Sequence, residues 1–227
     1  MKNEIISDLD DWLYNFYKVA QAEPVRLLKR LKRTICFEQE FKRASRVVRG
    51  KEEARDDIDK AVCLWMNLSW AFNLSAGGCS LRVHLDPTRE SISGLKQKRM
   101  AHYPLLLKRL KKTVILNRNV LKMLEQFDSS ESFFYIDPPY VDTSQSYACK
   151  FTREDWDKMI DKLKSLKGLF MLSHYSDESM TFPTEWVIKK LRTKCAINHK
   201  ASGKERDREE CIIMNYENKN DQLGFIK

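Results

Sequence analysis

No apolar run in the 227 residues comes near the ~18 that a membrane-spanning helix needs, and the N-terminus, Met1-Lys2-Asn3-Glu4, opens no hydrophobic signal segment. A globular protein of the cytoplasm is the expectation. The six cysteines (Cys36, Cys63, Cys79, Cys149, Cys195 and Cys211) form no C-x-x-C pair and have no histidine nearby at metal-ligand spacing. That argues against a disulfide framework and against a zinc site, and leaves reduced, packing thiols. G-x-G-x-x-G, G-x-x-x-x-G-K-[ST], H-E-x-x-H and G-x-S-x-G are all absent, which argues against kinases, P-loop proteins, zincins and serine hydrolases. No segment shows internal repeats or low complexity.

The chain has 42% hydrophobic and 11% aromatic residues, enough for a sizeable core in one large domain or in one domain carrying an insertion. The net charge is +9 and the pI about 9.2. Its distribution is uneven: Pro24 to Lys112 holds 21 Lys+Arg against 9 Asp+Glu, and the remainder is slightly acidic. Solubility alone does not require such concentration. A regional surplus of this kind points to a polyanion, and double-stranded DNA or another nucleic acid is the expected partner of the middle segment.

Taken in order, Glu4-Ile5-Ile6-Ser7 reads as a short strand ending at Asp8. Leu13, Phe16, Tyr17 and Ala20 then recur at helical spacing behind Asp10 and Asp11. Asp8 reads either as a helix-capping acid or as the strand-end acid that bonds ribose in dinucleotide-type folds, although no Gly-rich turn precedes it. Pro24 starts an amphipathic basic helix to about Arg33, and the pattern continues from Phe37. A further helix is expected from Asp56 to about Leu74, with Trp65 and Trp70 as core rather than base-stacking platforms. Asn73 to Val83 breaks at Gly77-Gly78, and a polar loop through Ser91-Ile92-Ser93-Gly94 follows, with helix resuming from Tyr103 to about Leu110. Beyond it, strands at Val114 to Asn117, Leu169 to Ser173, Trp186 to Ile188 and Cys211 to Asn215 alternate with helices. This predicts a parallel, mostly doubly wound α/β sheet. Thr152 is expected to cap the helix beginning near Phe151, and Gly168 to end it.

The most informative stretch is Phe133-Phe134-Tyr135-Ile136-Asp137-Pro138-Pro139-Tyr140. Four bulky apolar residues suit a strand covered on both faces, and the prolines end it because they cannot donate to a ladder. Ligands of open α/β sheets gather beyond the carboxyl ends of strands, where Asp137 and Tyr140 would sit. An ordinary core strand followed by a proline turn remains the plainer alternative.

The order of blocks resembles the Dam-type (D12 class) DNA adenine-N6 methyltransferases, in particular the versions found in phages and mobile elements. Glu4 to Tyr17 is similar to E-x-I-N-D-L-N-x-x-L-x-N-F-Y-R, Phe72 to Ser80 to S-F-S-x-x-G-G-S-W, and Ile115 to Asn119 to I-x-N-R-D. Phe127 to Tyr140 resembles F-D-S-x-x-T-F-F-Y-x-D-P-P-Y, Leu169 to Tyr175 resembles G-K-F-L-L-S-x-Y, and Arg208 to Tyr216 resembles R-x-E-x-L-I-M-N-Y. The six blocks stand in the family's order across nearly the whole chain.

The resemblance implies a Rossmann-like S-adenosylmethionine-dependent fold, with a catalytic core at residues 1–23 and 113–227 and a helical DNA-recognition insertion at 24–112. It implies that the target adenine is flipped out of the duplex. It assigns Asp137, Pro138, Pro139 and Tyr140 to catalysis, and Asp8, Asn119 and Asp137 to the cofactor. The aromatic-plus-Lys segment and the F-x-G-x-G strand that the family places ahead of the Glu4 block are not in this sequence, Asn119 stands where an acid is usual, and Ser7 replaces an Asn. A missing first strand, and an N-terminal methyltransferase piece supplied elsewhere, are therefore expected. The alternatives are a truncated, inactive DNA-binding remnant, one chain of a split methyltransferase, or an amino-methyltransferase acting on protein or RNA.

Overall fold

A computed structural model describes residues 3–71, 81, 91–139, 141, 151–175, 181–193 and 208–217. The Gly77-Gly78 loop, Tyr140, Cys79, Cys149, Cys195 and most of the charged loop expected over 200–210 lie outside the described residues. The chain divides into two compact units, Met1–Asn119 and Val120–Lys227.

The first unit joins a pair of strands to a helical bundle. Strand β1 (Glu4–Ser7) runs parallel to β2 (Thr113–Leu116), with Glu4 opposite Thr113 and Ser7 opposite Leu116. Between them lie α1 (Asp11–Ala22), α2 (Pro24–Arg33), α3 (Glu38–Val48), α4 (Asp57–Trp70) and α5 (Ile92–Leu110). Asp10 caps α1 by accepting from the Trp12 amide at 2.7 Å, and Asp56 caps α4 by accepting from the Asp59 amide at 2.7 Å. Both satisfy amide donors that the first turn leaves without helical partners. Pro24 opens α2, where a missing N–H costs nothing.

Helix α4 is buried almost all round, which makes it the interior helix of the bundle. Trp65 and Trp70 pack edge to face at 5.6 Å, are 8% and 0% exposed, and belong to the core as expected. Leu27, Leu31, Phe41, Ala44 and Val47 close on the same core from α2 and α3. One ion-pair network is built into it. Arg43 grips Asp59 through both ends of its guanidinium, Nη2 to Oδ2 at 2.6 Å and Nη1 to Oδ1 at 3.2 Å, and reaches Glu52 through Nε at 2.9 Å.

The polar loop expected at Ser91 to Gly94 is instead the start of α5. The Ser91 hydroxyl accepts from the Gly94 amide at 3.1 Å and supplies the cap. Gly94 and Pro104 both lower local helix propensity, but burial of Tyr103 and Leu110 against the bundle overrides them. Lys96 reaches from α5 to the end of α2, where its ammonium donates to the Lys32 and Thr34 carbonyls at 2.9 and 2.5 Å.

The second unit is a sheet with two helices. After α6 (Val120–Phe127) come β3 (Phe133–Ile136), α7 (Arg153–Lys164), β4 (Leu169–Tyr175), β5 (Val187–Thr193) and β6 (Arg208–Met214), and the strand order is β3-β4-β6-β5. β3 and β4 are parallel, whereas β6 is antiparallel to both its neighbours. Thr152 and Asp155 form the expected capping box of α7. Trp156, Met159, Ile160 and Leu163 of that helix cover the sheet face that carries Ile136, Phe170, Leu172 and Ile213.

Two expectations are corrected here. Coverage of β3 on both faces does not hold, because Phe133 and Tyr135 point away from the α7 side and are 54% and 64% exposed. Nor does Gly168 end α7, which stops at Lys164. Gly168 instead allows a close crossing of backbones: a Cβ there would lie 2.8 Å from the Ser132 carbonyl oxygen and 2.9 Å from that of Ser129. The Asp128 carboxylate accepts from the Lys167 and Gly168 amides at 2.9 and 3.0 Å. Asn215 donates to the Gly168 carbonyl and accepts from the Phe170 amide, both at 2.9 Å. Gly168→Ala should therefore destabilise the protein by about 1–3 kcal/mol, the range for forced overpacking. Chemical denaturation measures it, and an unchanged midpoint would contradict the crossing.

Candidate active site

Asp137 stands at the carboxyl end of β3, one residue beyond the Ile136–Leu172 pair that closes the parallel ladder with β4. Pro138 and Pro139 follow, both half-buried, and neither can donate to a ladder or adopt a freely rotating φ. The aspartate and the Pro138 carbonyl are thus two acceptors on a stiff segment. Asp137 is exposed, yet removal of part of its hydration by the surrounding protein raises its carboxyl above the ordinary range. Two residues earlier lies Tyr135. Its phenol is pushed up first by partial burial and then by the negative charges of Asp137 and Glu210.

The chain beyond Pro139 is anchored. Val141 is 8% exposed, and its amide donates to Nε2 of His174 at 3.3 Å. His174, on β4, is 1% exposed and packs its ring on Trp156 at 4.3 Å. Motif and composition do not single out this histidine. The available signal is its place in the two-residue alternation of β4, where Phe170, Leu172 and His174 all point inward.

In the first unit Asp8 follows β1. Its amide donates to the Leu116 carbonyl at 3.2 Å, its carbonyl accepts from Asn117 Nδ2 at 3.1 Å, and its Oδ1 accepts from the Asp10 amide at 2.8 Å. Asp10, not Asp8, is the helix cap. Asp8 instead shapes the turn with one oxygen, and its Oδ2 has no partner among the described residues. The Ser7 hydroxyl donates to the Arg118 carbonyl at 2.8 Å and accepts from the Arg118 amide at 3.1 Å, tying the end of β1 to the segment after β2. Asn119 is half-buried at the end of that segment, directly before α6. The described residues thus place Asp137, Pro138 and Pro139 in one unit and Asp8 and Asn119 in the other.

Among the described residues no cluster of His, Cys, Asp and Glu could hold a metal ion, and no helix is long and apolar enough to cross a membrane. The described residues define an α/β protein in which a carboxylate and two prolines follow the parallel strand β3. The family of D12 class N6 adenine-specific DNA methyltransferases matches residues 1–183, and the chain belongs to it. No curated protein matches the chain.

Membership fixes the reaction and the cofactor: the protein is an adenine-specific DNA methyltransferase that transfers a methyl group from S-adenosylmethionine to N6 of adenine in DNA. The residues present suit that cofactor. A carboxylate with a spare oxygen, as at Asp8, can accept from ribose hydroxyls, and an anionic acceptor such as Asp137 suits a sulfonium cation.

Proposed function

We propose that Asp137, Pro138, Pro139 and Tyr140 form the adenine site, and that Asp8, Asn119 and Asp137 serve the cofactor. One observation carries this: a carboxylate at the C-terminal end of a parallel strand, followed at once by two prolines. The adenine is flipped out of the duplex, since its amino group cannot be reached in the stack. The Asp137 carboxylate and the Pro138 carbonyl accept hydrogen bonds from N6, while Tyr140 stacks on the ring. As N6 gains positive charge during attack, both acceptors stabilise it, and the prolines spare the reorganisation a flexible loop would need. The proton on N6 leaves to water. S-adenosylmethionine, when bound, supplies the methyl group. Incubation with tritiated S-adenosylmethionine and adenine-containing duplex tests the reading, and label on any base other than adenine would reject it.

The fold belongs in this reading to the Rossmann-like S-adenosylmethionine-dependent class. Parallel pairing of β1 with β2 and of β3 with β4 supports it. Within their own sheets β1 and β3 each have one edge without a strand among the described residues. An N-terminal methyltransferase piece supplying a first strand would satisfy such an edge. Adding that piece should raise transfer if this is correct.

Residues 24–112 act as the DNA-recognition insertion. The support is the outer surface of α2, where Lys29, Arg30, Lys32 and Arg33 are all exposed. Replacing these four by Gln should weaken binding uniformly across DNA sequences. It should also flatten the dependence of log affinity on log salt, by up to about 0.9 for each phosphate that is no longer neutralised. Binding titrations at several salt concentrations measure this, and an unchanged slope would place the DNA elsewhere. Retained DNA binding with no methyl transfer, with or without the N-terminal piece, would favour the inactive remnant.

A further inference from the structure

We propose that His174 is a positioning residue for the adenine site, holding the main chain immediately after Asp137-Pro138-Pro139-Tyr140 in one place. The proposal rests on the assignment of that segment to the adenine. Its own support is geometric and lies within one unit.

The Val141 amide can only donate, so the Nε2 atom facing it at 3.3 Å must present a lone pair. The Nδ1 atom lies 2.9 Å from the Tyr175 carbonyl oxygen, which can only accept, so Nδ1 must carry the hydrogen. A neutral imidazole has one donor and one acceptor, and a single tautomer meets both demands. Trp156 fixes the ring plane from α7 at 4.3 Å and 49°, and Cys211 of β6 pairs with His174 across the ladder. The ring is 1% exposed and Val141 8% exposed, so water does not readily replace either bond.

The consequence for the site follows from chain connectivity. Ile136, the residue before Asp137, is fixed at one end by the ladder with β4, and Val141 at the other by a side chain of the same strand. The anchors stand five positions apart in the sequence, with Asp137 and two prolines between them, and both belong to one strand pair. An acceptor site that must be held within a few tenths of an ångström gains from such a clamp, because small displacements of acceptors cost large factors in rate.

The test compares His174→Phe, which keeps an aromatic ring beside Trp156 but offers no acceptor, with His174→Gln, whose side-chain oxygen can reach the Val141 amide. Hydrogen exchange at Val141 is the first readout. Exchange should be faster by roughly tenfold or more in His174→Phe, as for a lost buried hydrogen bond, and near wild type in His174→Gln. In methyl transfer, kcat should fall in the Phe variant at unchanged cofactor Kd and recover in the Gln variant. A merely space-filling histidine predicts the reverse ranking. Equal exchange in all three proteins would overturn the proposal. Should His174→Phe fail to fold, nitrogen-15 spectra of the wild-type histidine decide: a hydrogen on Nδ1 supports the clamp, and one on Nε2 refutes it. Asp137→Ala separates this inference from the site assignment, since it should reduce transfer by on the order of a thousandfold and leave exchange at Val141 unchanged. Transfer unaffected by Asp137→Ala would reject the adenine site, while the exchange data would still judge the clamp.

Discussion

Asp137→Ala should reduce methyl transfer by on the order of a thousandfold, with cofactor and DNA binding reduced far less. In the proposed site the alanine removes an anionic acceptor for an atom that becomes positive as it reacts, and losing one such preorganised partner typically costs about 10²–10³ in kcat. Asp137→Asn keeps an acceptor but loses the charge, so it should fall between wild type and alanine. The pH profile gives an independent check. In the proposed site the ionised carboxylate is the active form, and partial burial raises its pKa above that of an ordinary aspartate. Activity should therefore be lost on acidification at a higher pH than an unperturbed Asp, near 4, would give. An acid limb at or below that value, or transfer unaffected by the alanine, would remove Asp137 from the chemistry.

Arg43→Met should be the most destabilising single change in the helical unit, by about 3–5 kcal/mol. The Asp59 side chain is 6% exposed and that of Arg43 14%, and the guanidinium donates to both Asp59 oxygens. Burial pushes the Asp59 carboxyl up, but the Arg43 hydrogen bonds and the Arg55 amide, 3.0 Å away, outweigh it and hold the pKa below normal. A depressed folded pKa adds stability that is present above the unfolded value and lost as the pH falls through the folded one. Wild type should thus lose part of its stability below about pH 4. Without the guanidinium, only the Arg55 amide and charge oppose burial, so the depression shrinks and Arg43→Met should lose less stability than wild type as the pH falls. Denaturant titrations between about pH 3 and pH 7 resolve the two slopes. Parallel slopes in both proteins would show that Asp59 is not held by Arg43.

The residues that announce this fold are those whose local physics and tertiary setting agree. Thr152 and Asp155 cap α7 as a capping box, and Pro24 opens α2, because both signals act within one turn. The start of α5 is hidden by Gly94 and Pro104, which read as breakers and are overruled by burial of Tyr103 and Leu110. Strand β5 outruns its sequence signal for a related reason. Its run Lys189-Lys190-Leu191-Arg192 looks unlike a strand, yet among the described residues it is the last strand of its sheet, where backbone pairing with β6 needs little from the side chains. At the site, the strand end and its prolines are legible from chain chemistry alone. His174 is not, since its partner lies 33 positions away. The blocks that carry the family resemblance are also partly architectural: Asp128 and Asn215 spend their hydrogen bonds on the crossing at Gly168.

Lys96 gives the regional charge a finer meaning. Its ammonium is tied to the Lys32 and Thr34 carbonyls, so two of its three hydrogens are committed within the protein. Such a cation adds to the long-range attraction that brings DNA towards the protein, and so to the association rate at low salt. It displaces few counterions on contact, and so adds little to the salt sensitivity of the bound state. Neutralising Lys96 and neutralising Lys29 subtract the same charge from the sequence, but in the proposed DNA-recognition role of residues 24–112 the first should act on arrival and the second on residence.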